Sequence, residues 1–332
     1  MNKRRLGKTG PEVGALGLGC SGMSPGYTEH CDDKESTATI HAALDAGVTL
    51  INTGDFYGMG HNEMLIGQAI RDRRGKAFLS VKYGGLRDPG GAFIGFDMRP
   101  AATKNFLAYS LKRLGTDYID LYEPARVDPQ VPIEDTVGAI ADLVKAGYVR
   151  YIGLSEAGPG SIRKANAVHP IAAVEVEYSL MGRDVENNVL PTARELGLGV
   201  VAHSVLSGGL LGGRMRATAP TDDKPRHVRP RHAPGALEQN LQIVERFREQ
   251  ANARDVTSSQ LAFAWALAKG EEIVPLVGAR SRERLKEALG ALSIKLTPSD
   301  LAQIEAAVPQ GAVVGGIFAP FVQDAISRER AQ

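Results

Sequence analysis

Only two cysteines, Cys20 and Cys31, occur among 332 residues. They cannot build a disulfide framework, and with no CxxC pair they give no metal signature. An excess of one charge is also missing: 39 basic residues face 38 acidic ones, for a formal net charge of +1. Nothing in this balance implies nucleic acid or an anionic membrane surface as the main partner, and neither is expected. No apolar run approaches the ~18 residues of a membrane helix. The opening MNKRRLGKTG is basic but has no apolar stretch behind it, so it does not read as a signal peptide. These absences lead to the expectation of a cytoplasmic protein with a small-molecule partner, and nothing sets an oligomeric state. What is present is apolar side chain, 43% of the chain, enough for a large core. The length permits two domains, but single α/β barrels reach this size and no linker divides the sequence. Residues 1–332 are read as one domain.

Short β-rich apolar runs alternate with helical patterns almost from end to end. The expected strands are Ala15–Gly19, Thr49–Asn52, Phe78–Lys82, Tyr118–Tyr122, Tyr151–Ser155, Ala173–Glu177, Gly199–His203 and Ile273–Val277. Helical candidates between them include Lys34–Ala46, Asn62–Arg71, Pro100–Leu114, Ile133–Ala146, Ser161–Val168 and Val185–Leu196. Several close on glycine, as at Leu114-Gly115 and Leu196-Gly197. Eight strand-then-helix units without an antiparallel interlude predict a (β/α)8 barrel. A doubly wound sheet is the runner-up, but it lacks its GxGxxG between first strand and first helix. Residues 1–14 read as an N-terminal hairpin turning at Lys8–Pro11. Two long loops are expected on the C-terminal face. Gly208–Gly235 is Pro- and Arg-rich without periodicity, as lids and disordered loops are, and Val308–Gln332 crosses the mouth with Phe318, Pro320 and Phe321 as apolar contacts.

Chemistry in such a barrel collects at the C-terminal strand ends. INTGDFYG places Tyr57 after one strand, and LSVKYGG places Lys82 at the end of its neighbour. An ammonium a few ångströms from a phenol favours phenolate and is expected to draw the tyrosine pKa below its ordinary ~10. Such a tyrosine can protonate a carbonyl oxygen as hydride reaches the carbon. The bland alternative is a barrel lysine paired with an acid purely for packing.

The stretches LGKTGPEVGALGLGCSGMS, NExxIG after Tyr57, SLKRLGTDYIDLY, VPIEDTVGAIADLVKAGYVRYIGLSE and IVPLVGARSRERLKEALGAL together resemble the aldo-keto reductases over nearly the whole chain. The resemblance implies a (β/α)8 barrel, NADP(H) extended across its mouth without a Rossmann fold, and a Tyr-Lys-His-Asp tetrad. Tyr57 matches the tetrad's acid and Lys82 its lysine. The other two positions depart. Asn52 stands where most members have aspartate, and Ala125 where they have histidine. Asn52 offers Lys82 no anion, so the lysine pKa is expected to fall relative to the usual member. Ala125 cannot donate to a substrate carbonyl, and it is expected to open space beside the tyrosine. Asp55 is the candidate to pair with Lys82 instead. Glu123 shares a strand face with Ala125, and a salt bridge to a barrel arginine or lysine is the favoured role for it. Asp55, Phe56, Glu123 and Ala125 are thus the expected substrate side of the site.

Asn52–Gly58, Tyr122–Pro129 and Ala173–Leu180 further resemble the pyridoxal reductase branch, whose members reduce pyridoxal to pyridoxine with NADPH. The phenolic oxygen beside the aldehyde of pyridoxal can replace part of the missing histidine's polarisation, and its ring can use the space at Ala125. The same resemblance places the cofactor. Gly278–Arg284 enters a helix whose N-terminus favours an anion. Arg284 matches the family arginine on the 2′-phosphate and Arg280 is a second candidate, a pairing that favours NADPH over NADH. Glu287 matches a contact to the adenine amino group. Ser155 matches the serine at the nicotinamide carboxamide, while Glu156 and Glu175 replace asparagine and glutamine. His203 replaces a stacking tyrosine, and Ser204 with the turn from Leu206 suits a diphosphate. The leading expectation is an NADPH-dependent reductase of an aromatic aldehyde. The alternatives are a general aldo-keto reductase for a sugar or other metabolite carbonyl, a cofactor-binding regulatory subunit, and a non-redox enzyme in which neutral Lys82 forms a Schiff base.

Overall fold

The strands alternate between two buried faces, one turned into a barrel and one under helices, which is why they read as continuous apolar runs. The computed structural model describes residues 1–27, 31–215 and 229–331. A hairpin of β1 (Lys3–Arg5) and β2 (Glu12–Gly14) comes first, with Arg5 opposite Glu12. Then come β3 (Gly17–Gly19), β4 (Leu50–Gly54), β5 (Phe78–Tyr83), β6 (Gly85–Arg87), β7 (Phe93–Phe96), β8 (Ile119–Pro124), β9 (Val149–Ser155), β10 (Ile171–Glu177), β11 (Gly199–His203) and β12 (Ile273–Val277). Eight of them are parallel and close in the order β10, β11, β12, β3, β4, β5, β8, β9. This is the expected (β/α)8 barrel.

Inside it, Leu50, Leu121, Ala173, Val201, Val274 and Leu276 form an apolar layer, and Leu6 and Val13 of the hairpin region seal it from below. Arg4 fastens that plug by donating to the carbonyls of Gly270 and Leu267, both at 2.8 Å. Two residues further along the same strand faces, the layer turns polar: Leu50 gives way to Asn52, Leu121 to Glu123 and Ala173 to Glu175. The helices supply the outer core; Ile133, Val137 and Ile140 of helix Ile133–Lys145 are buried at helical spacing. Gly115 ends its helix at φ +62°, a conformation that costs other residues strain.

Three expectations change. An antiparallel pair, β6 with β7, interrupts the barrel repeat after β5. The helix expected over Val185–Leu196 is split, with a 3₁₀ turn at Asp184–Asn187 and a helix at Val189–Leu196, because Asn188 caps the second piece by accepting from the Val189 amide at 2.6 Å. The C-terminal segment is not all loop: Pro320, at the first helical position, opens a helix over Pro320–Arg330. Of the expected long loop Gly208–Gly235, residues 216–228 lie outside the described residues. Among the described residues, no helix is long and apolar enough to cross a membrane.

Candidate active site

Lys82 emerges from β5 into the polar inner layer and is 4% exposed. Its ammonium donates to Asn52 Oδ1 at 2.7 Å and lies 3.0 Å from both carboxylate oxygens of Glu175 on β10. Asn52 Nδ2 in turn donates to Glu175 at 2.6 Å and to Ser80 Oγ at 2.9 Å, and Ser80 Oγ donates to Glu123 Oε2 at 2.6 Å. Burial opposes the charge on Lys82, but Glu175, with Tyr57 and Glu123, holds its pKa above the ordinary value. The lysine is therefore not left without an anion, and its pKa does not drop below the ordinary value. The missing anion is supplied from across the barrel, by a residue expected to face the cofactor. A lysine kept charged lacks the free pair that Schiff-base chemistry needs.

Tyr57 opens the 3₁₀ turn that follows β4, where Gly58, Met59 and Gly60 all take positive φ. A buried bond set fixes this turn. Thr53 Oγ1 donates to Asn62 Oδ1 at 2.7 Å, and Asn62 Nδ2 donates to Cys20 O at 2.8 Å and Ser24 Oγ at 2.7 Å. Phe56 and Tyr27 meet the Tyr57 ring edge-on at 5.0 and 4.8 Å, and Lys82 Nζ is 5.5 Å from the ring centroid. The two candidate catalytic side chains are thus together. The phenol pKa, however, is raised: burial lifts it more than Lys82 lowers it. Tyr57 holds its proton, contrary to the depressed value expected from the lysine alone.

The spare carboxylates behave differently from expectation. Asp55 does not pair with Lys82; its Oδ2 accepts from the Gly84 amide at 3.2 Å, and burial followed by Glu63 raises its pKa to about 8. Among the described residues, Glu123 forms no salt bridge. It folds over Gly153, where a Cβ would come within 2.6 Å of it, and leaves Oε1 buried without a partner. Burial and the neighbouring Glu175 raise it to about 8, so at neutral pH it is a carboxylic acid and has no call for a cation. Ala125 is fully buried in the main core, so the missing histidine leaves no open space there. Phe56 packs across Gly54 and Gly85, where a Cβ would meet its ring at 3.3 and 2.7 Å.

The residues expected around a dinucleotide fall in two groups. Ser155 is buried at the end of β9. Beside it, Glu156 Oε1 contacts His203 Nε2 at 2.6 Å, and its other oxygen pairs with Arg330 of the C-terminal helix. Arg330 and His203, with Arg126, hold the buried Glu156 carboxyl well below the usual carboxylate range although burial alone would raise it. His203 Nδ1 lies 2.9 Å from Ser204 Oγ, and the ring meets Phe318 edge-on at 5.9 Å. Between Ser204 and Gly209 four residues take positive φ, and the turn is pinned where Gly209 N donates to Leu206 O at 2.8 Å. Gly208 leaves room for Arg229, whose Nη1 would lie 2.5 Å from a Cβ.

At the other end, a Cβ on Gly278 would meet nothing within 4 Å, so the chain there is open to a ligand. Ser281 caps the helix Arg282–Leu289 by accepting from Arg284 N at 3.4 Å. Arg280 and Arg284 flank that helix start, a donor set that fits a phosphate. Glu287 pairs with Arg214 at 3.0 Å. Sequence reasoning missed Ser80, Arg330 and the neighbourhood of Arg126. Ser80 was within reach, being two residues before Lys82 on one strand face; Arg330 contacts Glu156 across 174 residues and left no local signal.

The Aldo/keto reductase family model matches residues 15–309. A probable aldo-keto reductase 1 from Glycine max is 40% identical over 316 residues, which is 95% of this chain and 91% of that protein. Among solved structures, the glycerol dehydrogenase of Gluconobacter oxydans superposes with a TM-score of 0.83 at 26% identity, covering 96% of this chain and 98% of its own. The holo form of an aldo-keto reductase from Bacillus halodurans gives a TM-score of 0.78 at 26% identity, with 93% and 97% covered. The chain belongs to the aldo/keto reductase family, nicotinamide-dependent oxidoreductases of carbonyl and alcohol groups.

Proposed function

We propose that this protein reduces an aromatic aldehyde with NADPH in the cytoplasm, with pyridoxal to pyridoxine the best named reaction and Tyr57 the general acid. The observation that carries the reading is Lys82, held cationic by Glu175 and Asn52 while its ammonium faces the Tyr57 ring. When bound, the nicotinamide supplies the hydride. Tyr57, kept protonated by burial, delivers its proton to the carbonyl oxygen, and the Lys82 ammonium stabilises the phenolate that remains. Glu175 and Asn52 keep Lys82 charged for that purpose. Arg284 and Arg280 are assigned to the 2′-phosphate, Glu287 to the adenine and Gly278 to close backbone approach. Ser155 is assigned to the carboxamide, His203 to a flank of the nicotinamide, and Ser204 with Leu206 to the diphosphate turn. Phe56 is assigned to the substrate ring. A second reading, a small polyol or its carbonyl, draws on the likeness to a glycerol dehydrogenase.

The test is a fluorescence titration with NADPH followed by addition of pyridoxal and measurement of absorbance loss. Turnover in the parent with at least a ~100-fold loss in Tyr57→Phe is expected, with NADPH binding retained. Binding without turnover of pyridoxal, but with turnover of glyceraldehyde, moves the substrate to the second reading.

A further inference from the structure

Charges around Tyr57 are compensated except on one side. Lys82 faces Glu175, and Glu156 faces Arg330 and His203. Arg126, next in sequence to Ala125, feels the Glu156 carboxylate only at longer range and, among the described residues, forms no ion pair. Its Nη1 donates only to the Ala125 carbonyl, at 2.5 Å, and its Nε is buried with no hydrogen bond. Its guanidinium lies 4.9 Å from the Phe318 ring centroid and 5.8 Å from that of Phe96. Arg87 on β6 repeats the pattern. Its Nη1 donates to the Gly91 carbonyl at 3.1 Å, its guanidinium lies 5.8 Å from the Phe93 centroid, and its Nε is buried and unpartnered. Among the described residues neither guanidinium forms an ion pair. The rings beneath them, Phe93 and Phe96, meet edge-on at 4.9 Å, and Phe56, which touches the Tyr57 ring, packs across Gly85 on the strand that carries Arg87.

Two half-buried guanidiniums with no directly paired anion are costly to the folded protein unless something else compensates them. Arginine's planar fork suits carboxylate and phosphate alike. The aromatic rings of Phe96, Phe318 and Phe93 hold both forks in place, which reduces the ordering that binding would otherwise require. We propose that Arg126 and Arg87 form an anion subsite beside Tyr57, so that the substrate is a carbonyl compound carrying a carboxylate or phosphate away from its reacting carbon. The inference rests on the reductase reading and narrows it: pyridoxal itself carries neither group, so an aromatic aldehyde that bears a carboxylate or phosphate takes its place as the expected substrate.

Its test compares 4-formylbenzoate, 4-formylphenyl phosphate and methyl 4-formylbenzoate as substrates with NADPH. In the parent, an anionic aldehyde is expected to exceed the neutral ester in kcat/KM by about tenfold or more. Arg126→Met and Arg87→Met are each expected to collapse that ratio through KM, and Arg126→Lys to keep more of it than Arg126→Met. Whichever anion gives the larger ratio identifies the source, carboxylate or phosphate. A parent ratio near one, or a ratio unmoved in both methionine variants, overturns the subsite. If none of the three aldehydes is reduced, the reductase reading fails separately, and calorimetry with benzoate and phenyl phosphate decides. Binding that is lost in Arg126→Met then upholds the subsite, and no binding by the parent overturns it.

Discussion

Asn52 Nδ2 and Glu175 Oε2 stand 2.6 Å apart, and both side chains contact the Lys82 ammonium. Most aldo-keto reductases carry a carboxylate at the first position and a carboxamide at the second. Here the two groups are exchanged, and the charge around the lysine is conserved.

That exchange predicts a rescue. Glu175→Gln leaves a buried ammonium without its anion, and Asn52→Asp sets two carboxylates against each other, so one must take up a proton. Each is expected to lower kcat/KM by about tenfold or more. The double variant Asn52→Asp/Glu175→Gln restores one carboxylate and one amide, and is expected to exceed the product of the singles by at least ~10-fold, a coupling of ~1.4 kcal/mol. Glu175 raises both Lys82 and Tyr57, so Glu175→Gln alone should also shift the basic limb of the pH profile toward neutrality. Strict additivity in the cycle would refute the exchange.

Glu123 carries a pH signature. Its pKa is raised from 4.5 to about 8, through burial and then Glu175. Between those values the folded chain keeps a proton that the unfolded chain has released. Its contribution to stability is therefore full below about pH 4.5 and is lost as pH climbs through about 8. Glu123→Gln keeps the shape and removes the titration. The variant's Tm, relative to the parent, is expected to rise by roughly 5 °C between about pH 5 and about pH 9. Asp55, raised in the same way, is present in both proteins and cancels from the difference. An equal Tm gap at both pH values would show that the folded-state pKa of Glu123 is not raised.

The barrel was legible in sequence because both faces of each parallel strand are buried, which leaves unmistakable apolar runs at regular intervals. Tyr57 and Lys82 were legible because adjacent strands put their ends side by side. The partner of Lys82 was not. Glu175 is 93 residues away and reaches the lysine only through closure of the barrel. Asp55, near in sequence, was the natural guess, but it bonds the Gly84 amide rather than Lys82. The depressed tyrosine pKa failed for a related reason: sequence shows a nearby cation but not how completely the phenol is desolvated. The C-terminal helix escaped because its single buried side chain, Ile326, gives almost no periodic signal.

Cofactor choice turns on the helix that starts at Arg282. Arg284→Ala removes a guanidinium beside the capped N-terminus, where a 2′-phosphate would gain most. NADPH affinity is expected to fall at least ~10-fold, the scale of a charge-assisted hydrogen bond, with NADH changed by less than ~3-fold. Fluorescence titration with each nucleotide reads the two constants. Equal losses would remove Arg284 from the 2′-phosphate.

Arg330 is what ties the C-terminal helix to the barrel mouth. It pairs with Glu156, while the neighbouring Glu329 carboxylate accepts from the Gly158 amide at 3.0 Å. Both Arg330 and Glu156 are largely shielded, with side chains 9% and 0% exposed. Removing one member of a buried pair leaves the other charge with less compensation, at a cost of about 3–5 kcal/mol. Glu156 sits below its ordinary pKa of 4.5, so its contribution is present above that value and is lost as pH falls through the folded-state pKa. The penalty of Arg330→Met is therefore expected to be full at neutral pH and to shrink in acid. Hydrogen exchange over residues 320–330, measured alongside Tm, separates the helix from the barrel. Faster exchange confined to that helix is the expected result. Unchanged protection in Arg330→Met would mean that the Glu329 contact, and not the ion pair, holds the helix down.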